Sequence, residues 1–214
     1  TLEETPPGAI LILISVSPAR QLPTIRSRCQ IVPFFPLSPA EVRTILLDRQ
    51  LVDDVATAER IAFFCGGSVD RALELSDSRL WEFRRCWAEG LAEARLDSVE
   101  WAGRIGQFVE AAGKEASARR ACLRQVIGFA ADYYRDLLRA AYATAKPSAA
   151  DDADRPWQAA VTKGVAESRA LHGEAWVDAA AERLNLSLAA CEALDRNANQ
   201  TTLIEAWLDA LADR

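Results

Sequence analysis

From Asp77 to the end of the chain, nearly every large apolar residue falls at helical spacing, and that pattern constrains the fold most. Leu80, Trp81 and Leu91 mark a helix over residues 78–96, and a second, capped by Ser98, sets Trp101, Ile105, Phe108 and Val109 on one side. Recurrence every three to four residues gathers such side chains on one face of an α-helix. The longest stretch, 115–145, carries Leu123, Val126, Ile127, Ala130, Tyr134, Leu137, Leu138 and Ala141 in that rhythm. Lys146–Pro156, rich in Pro, Ser and Asp, reads as a loop, and helices over 157–172, 174–196 and 199–212 follow. A bundle of about five helices buries these stripes against one another. The six tryptophans (81, 87, 101, 157, 176 and 207) all sit in helical stretches, where core packing is the expected use of the ring.

Upstream the pattern changes. Ser38-Pro39-Ala40-Glu41 is a capping box with proline at the first helical position, followed by Val42, Ile45 and Leu46. Asp54 caps a second helix, 55–65, which Gly66-Gly67 stops, and Ser68 caps a third through Ala72 and Leu73. Before these helices, Ala9–Ile14 and Gln30–Phe35 are apolar runs that read as strands of one sheet, Pro33 limiting the second to an edge or end. Pro23 suits the first turn of a short helix between them, ending at Ser27-Arg28-Cys29. The expected fold is mainly α: two strands, three short helices, then the bundle.

Several functions are excluded on composition. No apolar run approaches the ~18 residues of a membrane helix, and nothing resembles a signal peptide. Five widely spaced cysteines and a single histidine, His172, form neither a zinc set nor a disulfide framework, so a reduced cytoplasmic protein with no metal is expected. The acidic excess behind the net charge of −6 lies entirely in residues 151–214, which argues against that part gripping DNA backbone. No G-x-x-x-x-G-K-[ST] phosphate loop is present, so no nucleotide cofactor is expected either. His172, beside Gly173, reads as a helix-end cation.

Thr1-Leu-Glu-Glu-Thr-Pro-Pro7, Ile12-Leu-Ile-Ser-Val-Ser-Pro18 and Leu22-Pro-Thr-Ile-Arg-Ser-Arg-Cys-Gln30, taken together, resemble the bacterial DNA polymerase III clamp-loader family. Gly66-Gly-Ser-Val-Asp-Arg-Ala-Leu73 is similar to the start of that family's lid helix, and Asn197–Leu208 to its closing collar helix. The resemblance implies the end of an AAA+ nucleotide-binding domain over 1–36, a helical lid over 37–76 and a helical collar over 77–214. The abrupt start at Thr1 then reads as the loss of the phosphate-loop half. Arg28 would be an arginine finger acting in trans, with Ser27 and Cys29 as motif neighbours that cap and pack. A planar, permanently charged fork suits phosphate oxygens as charge develops on them.

Two positions depart from the family's ATPases. Val16 falls where a polar sensor residue would stand, and Asp70 where a lid arginine would reach phosphate, with Arg71 one place later. A one-residue shift turns a helical side chain by ~100°, and a carboxylate repels phosphate. The implied role is a non-motor, stator subunit, non-catalytic itself but part of the DNA polymerase III holoenzyme, a nucleotidyltransferase complex. Its implied partners are the gamma/tau and delta subunits and, through the complex, the sliding β clamp and primed DNA, with no membrane. A gamma/tau motor subunit would keep the same finger but need an intact lid arginine. A helical adaptor without nucleotide role would make the Ser-Arg-Cys match accidental.

Overall fold

The structure, a computed structural model, describes residues 8–15, 18–142 and 155–213. Helices dominate, as expected, and no strand occurs among the described residues. A short helix, α1 (Pro23–Arg26), precedes a unit of three: α2 (Pro39–Asp48), α3 (Val55–Phe64) and α4 (Val69–Glu74). The bundle follows as α5 (Ser78–Leu91), α6 (Ser98–Ala111), α7 (Ala116–Tyr142), α8 (Arg155–His172), α9 (Trp176–Asp195) and α10 (Gln200–Ala212). The expected loop over 146–154 lies outside the described residues, and Arg155 and Pro156 already belong to the first turn of α8. None of the described helices is long and apolar enough to cross a membrane.

The helix starts follow from local chemistry. Ser38 and Glu41 form the full capping box, Asp54 accepts from the Thr57 amide at 2.8 Å, and Ser68 accepts from the Arg71 amide at 3.3 Å. One cap differs from the sequence expectation. Asp97, not Ser98, takes the N-cap of α6 and accepts from the Glu100 amide at 2.9 Å. A carboxylate there gains from the helix dipole as well as from the hydrogen bond.

Acid should loosen α2 and α3 through these caps. Hydrogen bonds from Ser38 hold the Glu41 carboxyl below its ordinary value, and those from Thr57 do the same for Asp54. A carboxylate with a lowered folded pKa stabilises fully above its unfolded value, about 4, and that contribution is lost as pH falls through the folded value. Circular dichroism should therefore show helix loss below pH ~4 in the wild type and a blunted acid response in Asp54→Asn. An unchanged acid midpoint in that variant would count against the cap's role.

The two strands expected at 9–15 and 30–35 are not formed. Both segments run in irregular conformation, solvent-exposed, with Ile14 97% and Phe34 93% accessible. A strand exists only when another strand supplies its hydrogen bonds, and the described residues offer these segments none.

The bundle core centres on α7, which packs against α5, α6, α8 and α9, while α6 also lies along α10. Leu123, Val126, Ile127, Ala130, Tyr134 and Leu137 are buried along it, the stripe the sequence showed. Each such large side chain contributes about 1.5–3 kcal/mol of burial. Five of the six tryptophans are buried, and Trp81 packs partly buried against the same core. Trp87 stands at the centre of three of them, 4.5 Å from Trp101 and 6.0 Å from Trp207 between ring centroids. Buried apolar residues run without a break from Val42 in α2 to Leu211 in α10.

Candidate functional site

The described residues 8–15 and 18–36 form an arm carrying the Ser-Arg-Cys motif. Pro23 fixes the first turn of α1, and the chain leaves the helix at Ser27, whose amide bonds the Pro23 carbonyl. Ser27 Oγ donates to the Thr24 carbonyl at 3.2 Å, and Arg28 Nη1 donates to the same oxygen at 3.3 Å. The exposed Arg28 side chain thus lies back over the C-terminal end of α1, where unsatisfied carbonyls favour cations. Arg26 is exposed in the last turn of α1, and Cys29 is half-buried with a free thiol. Gln21 Nε2 donates to Ser15 Oγ at 2.8 Å and ties the two sides of the arm together.

The arm joins the three-helix unit at one defined point. The Leu37 amide donates to the Gly67 carbonyl at 3.1 Å. Gly67 has φ +79°, and a Cβ there would lie 2.5 Å from the Leu37 carbonyl oxygen. Only glycine meets both conditions.

Of the positions weighed beside Arg28, Val16 lies outside the described residues. Asp70 is exposed in the first turn of α4. Arg71 reaches Asp132 of α7, Nη2 to Oδ2 at 3.8 Å. Neither residue is brought near Arg28 by any described contact.

His172 differs from its expected role as a helix-end cation. Burial and then the neighbouring Arg183 guanidinium, 3.5 Å away, hold its pKa below the usual imidazole value, so it is neutral at pH 7. His172 does end α8, and Arg183 donates through Nε to the Leu211 carbonyl near the C-terminal end of α10 at 3.3 Å. The two border an open cleft of about 540 Å³ with Arg95, Tyr134, Glu167 and Asp213. Its ionisable side chains are of both signs, and it holds no paired nucleophile and base.

The cysteines stay free thiols among the described residues. Burial pushes the Cys122 thiol up to about 11 and raises Cys191 as well, which keeps both protonated and unreactive. No group of three metal-ligating side chains occurs among the described residues.

Sequence reasoning missed Arg84. Its guanidinium is buried, 5% exposed, over the ring of Trp157 at 3.7 Å and near Phe64 at 4.6 Å. The aromatic partners come from three helices besides its own, and no periodicity within one segment reveals that.

A family model described as DNA polymerase III, delta subunit, matches residues 1–38. The matched span holds the whole arm, with Leu22–Cys29 inside it, and covers under a fifth of the 214 residues. It supports a relation to the DNA polymerase III clamp-loader family over that segment. No curated protein and no solved structure matches this chain.

Proposed function

We propose that this protein is a subunit of the bacterial DNA polymerase III clamp loader, and specifically its delta-prime, stator subunit. The family match across residues 1–38 carries the reading, because it falls on the segment that holds Ser27, Arg28 and Cys29. On this reading residues 1–36 end an AAA+ nucleotide-binding domain, 37–76 are its lid and 77–214 its collar. Arg28 then completes the ATP site of an adjacent gamma/tau subunit in trans. The complex as a whole, with delta, opens the β clamp and closes it around primed DNA in the cytoplasm.

The exposed apolar runs 9–15 and 30–35 fit this assignment: they are strands awaiting a sheet, and water is a poor neighbour for Ile10, Ile12, Ile14, Phe34 and Phe35. Asp70 at the start of α4 fits a subunit that does not turn over ATP itself. The chain accordingly should not bind ATP, because it has no glycine-rich loop whose amides would cradle phosphate. Calorimetric titration should show no heat of binding up to millimolar nucleotide, and micromolar affinity would overturn the stator assignment. Reconstitution tests the wider reading. Clamp- and primer-stimulated ATP hydrolysis by gamma/tau and delta should depend on the full-length protein. A loader equally active without it would refute the proposal.

A further inference from the structure

We propose that Arg84 is a latch that holds the three-helix unit α2–α4, and with it the Arg28-bearing arm, at a fixed angle to the bundle. The proposal is independent of the clamp-loader reading. It rests on where the aromatic partners of one buried guanidinium come from.

Arg84 lies on α5, the first helix of the bundle, yet its guanidinium sits between faces from both sides of the seam. Phe64, the last residue of α3, is 4.6 Å from it, and Trp157 of α8 is 3.7 Å away. Phe129 of α7 and Trp81 of α5 lie farther out, at 5.8 Å and 5.5 Å. A guanidinium is weakly hydrated and planar, so it can sit against ring faces where an ammonium would keep its water. Such attraction is strongest when desolvated, which is the condition at 5% exposure.

Trp157 is fixed independently of the latch, since its Nε1 donates to Asp136 at 3.0 Å and its ring meets Tyr133 edge-on. Phe64, whose ring has no hydrogen-bonding atom, is partly buried against the core and meets the bundle side at Arg84 and edge-on at Trp81, 5.4 Å away. The bundle side is therefore the frame and the α3 side the part that can move. Among the described residues Trp81 Nε1 also donates across the seam to the Leu75 carbonyl at 2.6 Å and Arg60 of α3 lies over the Trp81 ring at 4.9 Å, while Arg71 with Asp132 and Gln125 with Glu74 are surface contacts. Exposed pairs of that kind contribute little. Three residues beyond Phe64, Gly67 accepts the hydrogen bond from Leu37 that anchors the arm. Moving the end of α3 therefore moves the root of the arm.

Hydrogen–deuterium exchange of the full chain tests the latch. Arg84→Met keeps the unbranched apolar stem and removes the charge. Amides of α3 and α4 should then exchange roughly thirty-fold faster, the factor a desolvated cation–π contact corresponds to. Amides of α7, α9 and α10 should stay within about two-fold, because only the seam opens. Phe64→Leu, which removes the ring on the moving side, should give the same pattern, and the double variant should add little to either. It also decides the matter alone if Arg84→Met does not fold. Equal acceleration in every helix would make Arg84 ordinary core packing, and unchanged exchange in α3 and α4 would leave it no mechanical role; either result overturns the proposal.

Discussion

Arg28→Ala, in a loader assembled from full-length subunits, should leave the complex whole and slow ATP hydrolysis at the neighbouring site by orders of magnitude. A trans arginine neutralises charge on the γ-phosphoryl group as it transfers, and such fingers contribute ~10³–10⁵ in rate where they act alone. Steady-state turnover of the whole ring should fall less, because the other sites keep their own fingers. Arg28→Lys should be nearly as damaging, since a point charge does not reproduce the bidentate fork. Arg26→Ala is the control. It lies two residues earlier, exposed in the last turn of α1, whereas Arg28 follows the C-cap Ser27. The measurement is ATP turnover with clamp and primed DNA present. Equal loss in both alanine variants, or none in Arg28→Ala, would remove the finger assignment.

A large loss of stability from a single added methyl should come at Gly90. Its missing side chain makes room for Trp101: an added Cβ would lie 2.5 Å from Trp101 Cε2 and collide with Cζ2 as well. Trp101 cannot retreat, because it is buried between Trp87 and Phe83, with ring centroids 4.5 Å and 6.4 Å away. Gly90→Ala should therefore cost roughly 3 kcal/mol despite the better helix propensity of alanine. At this chain length that lowers the melting temperature by roughly 6–12 °C. Gly164→Ala should behave similarly, since its Cβ would collide with the Tyr133 hydroxyl. Gly106 faces open space on α6, so Gly106→Ala should be neutral or stabilise by up to ~1 kcal/mol. Thermal melts of the three variants check the ranking. A Gly90→Ala protein as stable as wild type would mean that the α5–α6 contact is looser than described.

Much of this architecture is legible in the sequence because helices are made of local interactions. Ser38, Asp54 and Ser68 announce their helices with side chains that reach amides three residues away, and Pro23 announces α1 through its fixed φ. Where two neighbouring residues can both cap, as at Asp97 and Ser98, the local signal is ambiguous by one position. The stripe along α7 is equally local. Strands differ, because Ala9–Ile14 has the composition of a buried strand but no power to supply its own partner. Arg84 was illegible for a related reason: its environment is assembled from α3, α7 and α8, dozens of residues apart. The arginine of the motif stood out in the sequence, and its place at the end of α1 followed from Pro23 four residues before Ser27.

Assembly tests the central claim most directly. Full-length protein mixed with gamma/tau and delta subunits and passed over a sizing column with light scattering should elute in one complex with them. Elution of this protein alone, beside a loader already complete without it, would contradict the account.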